Sequence, residues 1–585
     1  MRKTIATVSV SGTLAEKLEA IAAAGFDGVE LFENDLLACP LPPEEIRARA
    51  ADLGLTIDLY QPFRDFEAVP DDLLARNLRR AEHKFRLMER LGTDLLLVCS
   101  NVSPEAIGDD ERAAAQLRLL AERAAGHGVR IAYEALAWGR HVDEYLHAWR
   151  LVRLADHPGL GLCLDSFHIL SRGSDPIGIE AVPGEKIFFL QLADAPLLAM
   201  DVLQWSRHYR CFPGQGTFDV AGLVRHALNA GYAGPLSLEV FNDHFRQADT
   251  GRTARDGMRS LLALEGELAG TTHPCVPTGF AFAELADDGG AFGEVLGALG
   301  FTRAGAHPRK PVELWTQGGA RLLLNATGAE PSLAAIGLDG PDPAGAVKHA
   351  EALLSPVLPR ERAPEEARLD AVAAPDGTQI FFCDDSWLSD FPPPPAGRSG
   401  GAVTGIDHVA LTQPWHYFDE AELFYRTVLG LRPQGSLELP DPYGLLRSKA
   451  MSDPGGAVRM VVNIAQVGSG DVPWQHVALA CDDVLALARR LRAEHPGLLL
   501  PIPANYYDDL EARHDLGPEL RELRELGVLY DRDARGGEFL HLYTVTVGRV
   551  FFELVQRTGG YDGYGAGNAP IRLAAQHSGH RSGGH

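Results

Sequence analysis

Four oxygen-bearing side chains stand at the ends of successive β-rich runs: Glu134 closes RIAYE, Asp165 closes GLCLD, Gln191 closes IFFLQ, and Glu239 is the last polar residue of LSLEV. If these runs are neighbouring parallel strands, roughly 4.8 Å apart, the four side chains share one rim and can converge on one ion. Three carboxylates and an amide suit Mg²⁺, Mn²⁺ or Co²⁺ better than structural zinc. A lone polar residue at a strand end is ordinarily a solvated cap, but four on consecutive strands favour a metal cradle. Around them lie Arg64 in DLYQPFRD, His168 three residues after Asp165 in LDSFHI, and Ser206 with Arg210 in WSRHYRCFPGQG. A guanidinium offers a planar fork that matches a carboxylate, so Arg64 and Arg210 are expected to clamp a small anionic acid. His168, beside the metal, is expected to act as general base near neutral pH.

The elements that would position these groups form a regular series. From residue 1 to about 268, eight β-rich runs alternate with Ala/Leu/Arg-rich stretches of helical period: 4–10, 28–33, 56–61, 94–99, 130–134, 161–165, 187–191 and 236–240. Repeated βα units of this length predict an α/β fold, a closed (β/α)8 TIM barrel, whose active site lies at the C-terminal ends of the strands. All the residues singled out above fall there.

The 585 residues exceed one ordinary core, and further domains are expected. TTHPCVPTG lacks hydrophobic period and marks a linker over 269–278; the four successive prolines of SDFPPPPAGRSGG mark a second over 389–402. The units between and after them, 279–388 and 403–569, begin alike (GFAFAELADDGGAFGEVLGALGFT and GIDHVALTQPWHYFDEAELFYRTVLGL) and end alike (QIFFCDD and RVFFELVQ), the pattern of an internal duplication. The end of the chain, 570–585, closes on HSGHRSGGH and is expected to be disordered. A net charge of −25 argues against nucleic acid and anionic membranes as partners. With no apolar run of spanning length and a polar start, a cytoplasmic protein is expected. Seven scattered cysteines without a CxxC pair suggest neither a disulfide framework nor a thiolate zinc site.

The motifs YE (133–134), LDSFH (164–168), LQLAD (190–194), PGQG (213–216) and LSLEV (236–240) resemble those of xylose-isomerase-like sugar-phosphate isomerase and epimerase barrels. With QPFRD and the C-terminal fusion added, the chain is most similar to bacterial two-domain 3-dehydroshikimate dehydratases. That resemblance implies metal ligation by Glu134, Asp165, Gln191 and Glu239, and substrate contact by Arg64, His168, Ser206 and Arg210. It also implies dehydration of 3-dehydroshikimate to protocatechuate: a metal-polarised ketone, removal of the α proton by His168, and loss of the β-hydroxyl. Two other readings stand behind it. A sugar or sugar-acid isomerase or epimerase usually needs two opposed acid/base groups, and an iron-dependent dioxygenase acting through the C-terminal half leaves the barrel rim unexplained.

In that half, GIDHVAL, WQHVALACDD, PANYYDDL, LGVLYDRD, RVFFELVQR and GYGAGN resemble 4-hydroxyphenylpyruvate dioxygenase, of the vicinal-oxygen-chelate superfamily. The resemblance implies tandem α+β modules of βαβββ pattern. In the second, His408, His476 and Glu553 form a two-His-one-carboxylate site for Fe²⁺ or Mg²⁺. In the first, Phe282, Leu333 and Cys383 replace that triad. His541 stands where the dioxygenase typically has a glutamine, and VVNIAQVGSGDVP is shorter than its substrate-lining stretch. Metal binding without hydroxyphenylpyruvate turnover is therefore expected, and a structural or homo-oligomerising role for the module is an equal alternative.

Overall fold

The structure, a computed structural model, describes residues 1–271, 276–287, 290–327, 330–392, 401–442, 444–465 and 474–582. Residues 272–275 and 393–400 of the two expected linkers, and 466–473 of the shortened stretch, lie outside the described residues. The chain divides into two compact units, Met1–Thr272 and His273–His585. No helix among the described residues is long and apolar enough to cross a membrane.

The first unit is a closed barrel of eight parallel strands in sequential order: β1 Lys3–Ala6, β2 Gly28–Phe32, β3 Thr56–Phe63, β4 Leu95–Cys99, β5 Arg130–Glu134, β6 Leu160–Asp165, β7 Ile187–Leu192 and β8 Leu236–Leu238. All eight expected runs are present. The first and last are shorter than the sequence suggests, because side chains capture main-chain groups that a longer ladder would use. Thr7 Oγ1 accepts the Phe32 N–H at 3.1 Å, and Ser9 Oγ accepts the Val240 N–H at 2.9 Å. Ser9 lies in a 3-10 turn, Thr7–Ser9, and Glu239 sits one residue past β8. Leu59, Leu97, Ala132, Cys163 and Phe189 form an apolar cluster in the barrel, so the polar rim rests on a packed core.

The second unit contains two sheets of matching topology. One has the order β10-β11-β12-β9-β13-β15-β14, with β9 Gly279–Ala286, β10 Thr302–Ala306, β11 Val312–Gln317, β12 Ala320–Asn325, β13 Ser332–Asp339, β14 Asp370–Ala373 and β15 Gln379–Cys383. The other has the order β17-β18-β19-β16-β20-β23-β22-β21, with β16 Val403–Gln413, β17 Arg432–Asp441, β18 Gly444–Ser452, β19 Arg459–Ala465, β20 Gln475–Cys481, β21 Leu529–Arg532, β22 Glu538–Tyr543 and β23 Val550–Thr558. In each, the first strand of the module (β9, β16) pairs parallel with one neighbour and antiparallel with the other. The duplication visible in the sequence is thus a duplication of strand order.

The end of the chain differs from expectation. Ala569–Ser582 is helical, not disordered; residues 583–585 lie outside the described residues. The Gly, Ser and His of the last segment mask an earlier stretch, in which Leu573 and Ala575 are buried and the Arg572 guanidinium lies over Phe551 at 5.1 Å. That burial, absent from a composition argument, anchors the helix.

In the first module the positions that lack metal ligands have become core. Phe282 and Cys383 belong to one apolar cluster with Trp387 and Phe381; the Phe282 and Trp387 rings meet edge-on at 5.0 Å, and Leu333 is also buried. Phe282→Ala should therefore destabilise this unit by about 3–5 kcal/mol, the cost of an aromatic deletion from a packed core. A lower urea midpoint at an unchanged slope would register it; an unchanged midpoint would mean that the cluster does not carry the fold.

Candidate active site and second metal centre

At the C-terminal end of the barrel, strand register brings the expected ligands together. Cys99 aligns with Glu134, and Asp165 with Gln191. Glu134, Asp165, Gln191 and Glu239 are each at most 5% exposed. Asp165 does two things: it ends β6, and its Oδ1 accepts the Phe167 N–H at 2.7 Å, capping the short helix Ser166–Ser171. The cap starts the helix so that His168, three residues on, turns back to the rim, with Nε2 at 3.5 Å from Asp165 Oδ2 and 3.9 Å from Glu134 Oε1.

Arg210 is 1% exposed and makes a different set of contacts from those the sequence suggests. Instead of being free for substrate, its Nη1 donates to Asp165 Oδ2 at 2.6 Å and Glu239 Oε2 at 3.1 Å, and its Nε donates to Ser206 Oγ at 3.0 Å. Its guanidinium also lies over the Phe167 ring at 4.6 Å. Ser206, 2% exposed, is thereby committed to Arg210. Arg64 is the contrasting case. It is half-buried, lines the same cavity of about 1020 Å³ as His168, Ser206, Arg210 and Glu239, and its guanidinium has no hydrogen-bonded side-chain partner among the described residues.

The electrostatics follow from packing carboxylates together out of water. Burial, then Asp165 and Glu239, push Glu134 well above the ordinary carboxylate range. Glu239 is pushed up to about 7, chiefly by burial, with Arg210 opposing. Burial pushes Asp165 up, yet Arg210, His168 and the Phe167 N–H together outweigh it and hold the carboxyl below the usual range. Burial drives His168 down to about 3, so its imidazole is neutral near pH 7. The donor set fits a divalent cation: three buried carboxylates face one buried guanidinium, and Glu134 Oε1 is buried without a hydrogen-bond partner.

Sequence reasoning missed the support beneath these groups. Glu30 in β2 and Gln61 in β3 are buried and hydrogen-bonded to the rim: Gln191 Nε2 donates to Glu30 Oε2 at 2.5 Å, and Gln61 Nε2 donates to Glu239 Oε1 at 2.8 Å. A carboxylate in the middle of the apolar run GVELF was the available signal. The LQLAD and PGQG motifs prove to be scaffold. Asp194 accepts N–H bonds from Gly214 and Gly216, and a Cβ at Gly216 would stand 2.3 Å from Asp194 Oδ1. This clasp fixes the loop that carries Arg210.

In the second unit the two-His-one-carboxylate set assembles on one face of a sheet. His408 and Glu553 both register with Ala478, from either side, and His476 lies two residues before it on the same strand. His408 Nε2 and His476 Nε2 are 3.1 Å apart, and each is 3.2 Å from Glu553 Oε2. The surrounding bonds select the imidazole tautomers. His408 Nδ1 pairs with Asp407 Oδ1 at 2.8 Å, and Arg557 grips Asp407 through Nε at 2.7 Å and Nη2 at 2.8 Å, which leaves Nε2 as the ligand atom. Asn568 Nδ2 donates to the Tyr530 carbonyl and to His541 Nε2, so His541 carries its proton on Nδ1 and donates it to Glu553 Oε1 at 2.7 Å. Glu553 Oε2 is left for a cation. Among the described residues two clusters could hold a metal ion: His408, His476 and Glu553, and Glu134, Asp165 and His168.

Residues 18–264 match the family described as Xylose isomerase-like TIM barrel. Over 98% of both chains, this protein is 47% identical to a 3-dehydroshikimate dehydratase of Pseudomonas putida and 49% identical to one of Pseudomonas aeruginosa. The chain belongs to the 3-dehydroshikimate dehydratase family. A solved structure described as a xylose isomerase-like TIM barrel/4-hydroxyphenylpyruvate dioxygenase fusion protein superposes with a TM-score of 0.91 at 45% identity, covering 99% of this chain and all of that one. The dehydratase family thus joins the two folds described above in one chain.

The Asp407–Arg557 pair sets up a direct check on the second site of this dehydratase-family chain. In a Glu134→Ala background, which disables the barrel cluster, Arg557→Ala should weaken metal binding at the triad by about 10–100-fold, the usual effect of losing a group that orients a ligand. Calorimetric titration measures it; an unchanged affinity would mean that Asp407 does not orient His408.

Proposed function

We propose that this chain removes water from 3-dehydroshikimate to give protocatechuate at the barrel rim, with Glu134, Asp165, Gln191 and Glu239 as donors to Mg²⁺, Mn²⁺ or Co²⁺. One observation carries the reading: a single cavity holds converging buried carboxylates, a neutral buried imidazole and an unpaired half-buried guanidinium. Arg64 pairs with the substrate carboxylate, and Arg210 keeps Asp165 ionised and holds both Asp165 and Glu239 in place. A bound divalent cation supplies Lewis-acid polarisation of the substrate ketone, which acidifies the adjacent C–H.

His168 then moves the proton. Its two ring nitrogens both face donors, Ala137 N–H at Nδ1 (3.1 Å) and Arg210 Nη2 at Nε2 (3.2 Å), and a neutral imidazole accepts at only one of them. The Ala137 bond uses the lone pair on Nδ1; the base role needs the other tautomer, with the lone pair on Nε2, and gives up that bond. That nitrogen takes the proton α to the ketone and the C–H electron pair moves toward the ketone oxygen; the pair then returns to form the Cα–Cβ double bond as the β C–O bond breaks, and the hydroxyl leaves with the collected proton as water. The resulting dienone tautomerises to the catechol, and aromaticity makes the step one-way. Arg64, free to meet a carboxylate, favours this acid over a neutral sugar and so disfavours isomerisation. For the C-terminal triad we propose Fe²⁺ or Mg²⁺ binding without hydroxyphenylpyruvate turnover, since His541 occupies one oxygen of Glu553.

Chelator-treated protein supplied with 3-dehydroshikimate should yield protocatechuate absorbance only after Mg²⁺, Mn²⁺ or Co²⁺ is restored, and not at all in Glu134→Ala. Product without metal, or none with any metal, would overturn the assignment. His168→Ala should lower kcat by about 10²–10⁴-fold, the usual worth of a positioned acid/base group, while Mn²⁺ affinity persists. Turnover at the wild-type rate would remove His168 from the mechanism.

A further inference from the structure

The rim holds a fourth buried carboxylate, Glu30, which the proposed reaction does not use. It is fully buried and surrounded by donors. Gln191 Nε2 donates to its Oε2 at 2.5 Å, Gln61 Nε2 donates to the same oxygen at 3.0 Å, and Ser237 Oγ–H donates to Oε1. The second N–H of Gln61 continues to Glu239 Oε1 at 2.8 Å.

We infer that Glu30 is a positioning residue for the metal cradle, fixing the amide of Gln191 directly and the carboxylate of Glu239 through Gln61. The inference rests on the cradle proposed above. Its physical basis is the donor and acceptor inventory. An amide ligates a hard cation through oxygen, yet its two ends have nearly the same shape, so something must choose the end presented. Glu30 Oε2 accepts from the NH₂ groups of both Gln191 and Gln61, so the Gln191 amide turns its NH₂ end to Glu30. On the other side Cys163 Sγ–H donates to Gln191 Oε1 at 3.2 Å, which uses one of two lone pairs and leaves the other available. Both neighbours thus select one orientation, and reversing the amide would set oxygen against oxygen at Glu30. Gln61 extends the control to β8. Its NH₂ group bridges two carboxylates, which holds Glu239 Oε1 while Arg210 holds Oε2. Glu30 in β2 thereby ties together ligands carried by β7 and at the end of β8.

The test is Mn²⁺ binding, followed by electron paramagnetic resonance of the free ion, in full-length protein carrying His408→Ala to silence the C-terminal triad. Glu30→Ala should weaken binding by about 10–100-fold. Glu30→Gln, which can turn its oxygen to Gln191 and Gln61 and its NH₂ to Ser237, should recover affinity to within about threefold. The visible bands of bound Co²⁺ should shift in Glu30→Ala and return in Glu30→Gln, a signature that a merely structural role would not produce. A folded Glu30→Ala protein with wild-type Kd and Co²⁺ spectrum overturns the inference alone. Where Glu30→Ala does not fold, Gln61→Met is read instead, and an unchanged Kd there overturns it equally. Failure of the otherwise unaltered barrel to bind Mn²⁺ would bring down the cradle and the inference with it.

Discussion

The barrel depends on one electrostatic constraint: several carboxylates are gathered where water cannot reach them. Glu30, Glu134, Asp165 and Glu239 are all buried at one end of the barrel, and the Arg210 guanidinium is buried among them. Each added charge raises the cost of ionising the others, which is why Glu134 and Glu239 are displaced upward and Asp165, directly against Arg210, is not. Such a cluster is expensive as pure architecture, since apolar residues of similar volume would usually be no less stable. It makes sense as a receptor for positive charge. The neutral state of His168 follows from the same burial, so a single feature of the fold prepares both the cation cradle and the base.

The second unit treats the same problem in two ways. Its two sheets follow the same strand order apart from one additional edge strand in the second, yet one carries three converging ligand atoms and the other an aromatic core around Phe282 and Trp387. A duplicated module that loses its ligands cannot leave polar gaps, because unpaired buried groups cost more than apolar packing gains. Filling the site with aromatics resolves that. In the retained site, two of the ligands have their second polar end occupied: His408 by Asp407, and Glu553 by His541. Those partners hold the His408 and Glu553 ligand atoms in one orientation, and Asp407 sets the tautomer of the His408 ring.

Motif residues divide between chemistry and support in a way that spacing does not reveal. Asp194, in LQLAD, has its carboxylate saturated by main-chain N–H groups and serves the loop, not the reaction. Arg210, a few residues from Ser206, sits inside the carboxylate cluster, whereas Arg64 remains open to the cavity. The two arginines are equivalent as residue types, and only their neighbours distinguish them.

The sequence by itself determined the eight-stranded barrel, the duplicated second half, and the positions of both sets of candidate ligands. Alternating hydrophobic period and strand-end polar residues are local signals, and a strand end on a parallel barrel has one place to point. Tertiary structure decided what local signals cannot carry. It paired Arg210 with Asp165 and Glu239, recruited Glu30 and Gln61 from distant strands, and shortened β1 and β8 through Thr7 and Ser9. It also folded Ala569–Ser582 into a helix by burying Leu573, although the residues after it read as low complexity. Each of these depends on which side chains meet across long stretches of chain, and hydrogen-bond pairing and burial exist only once those strands are brought together.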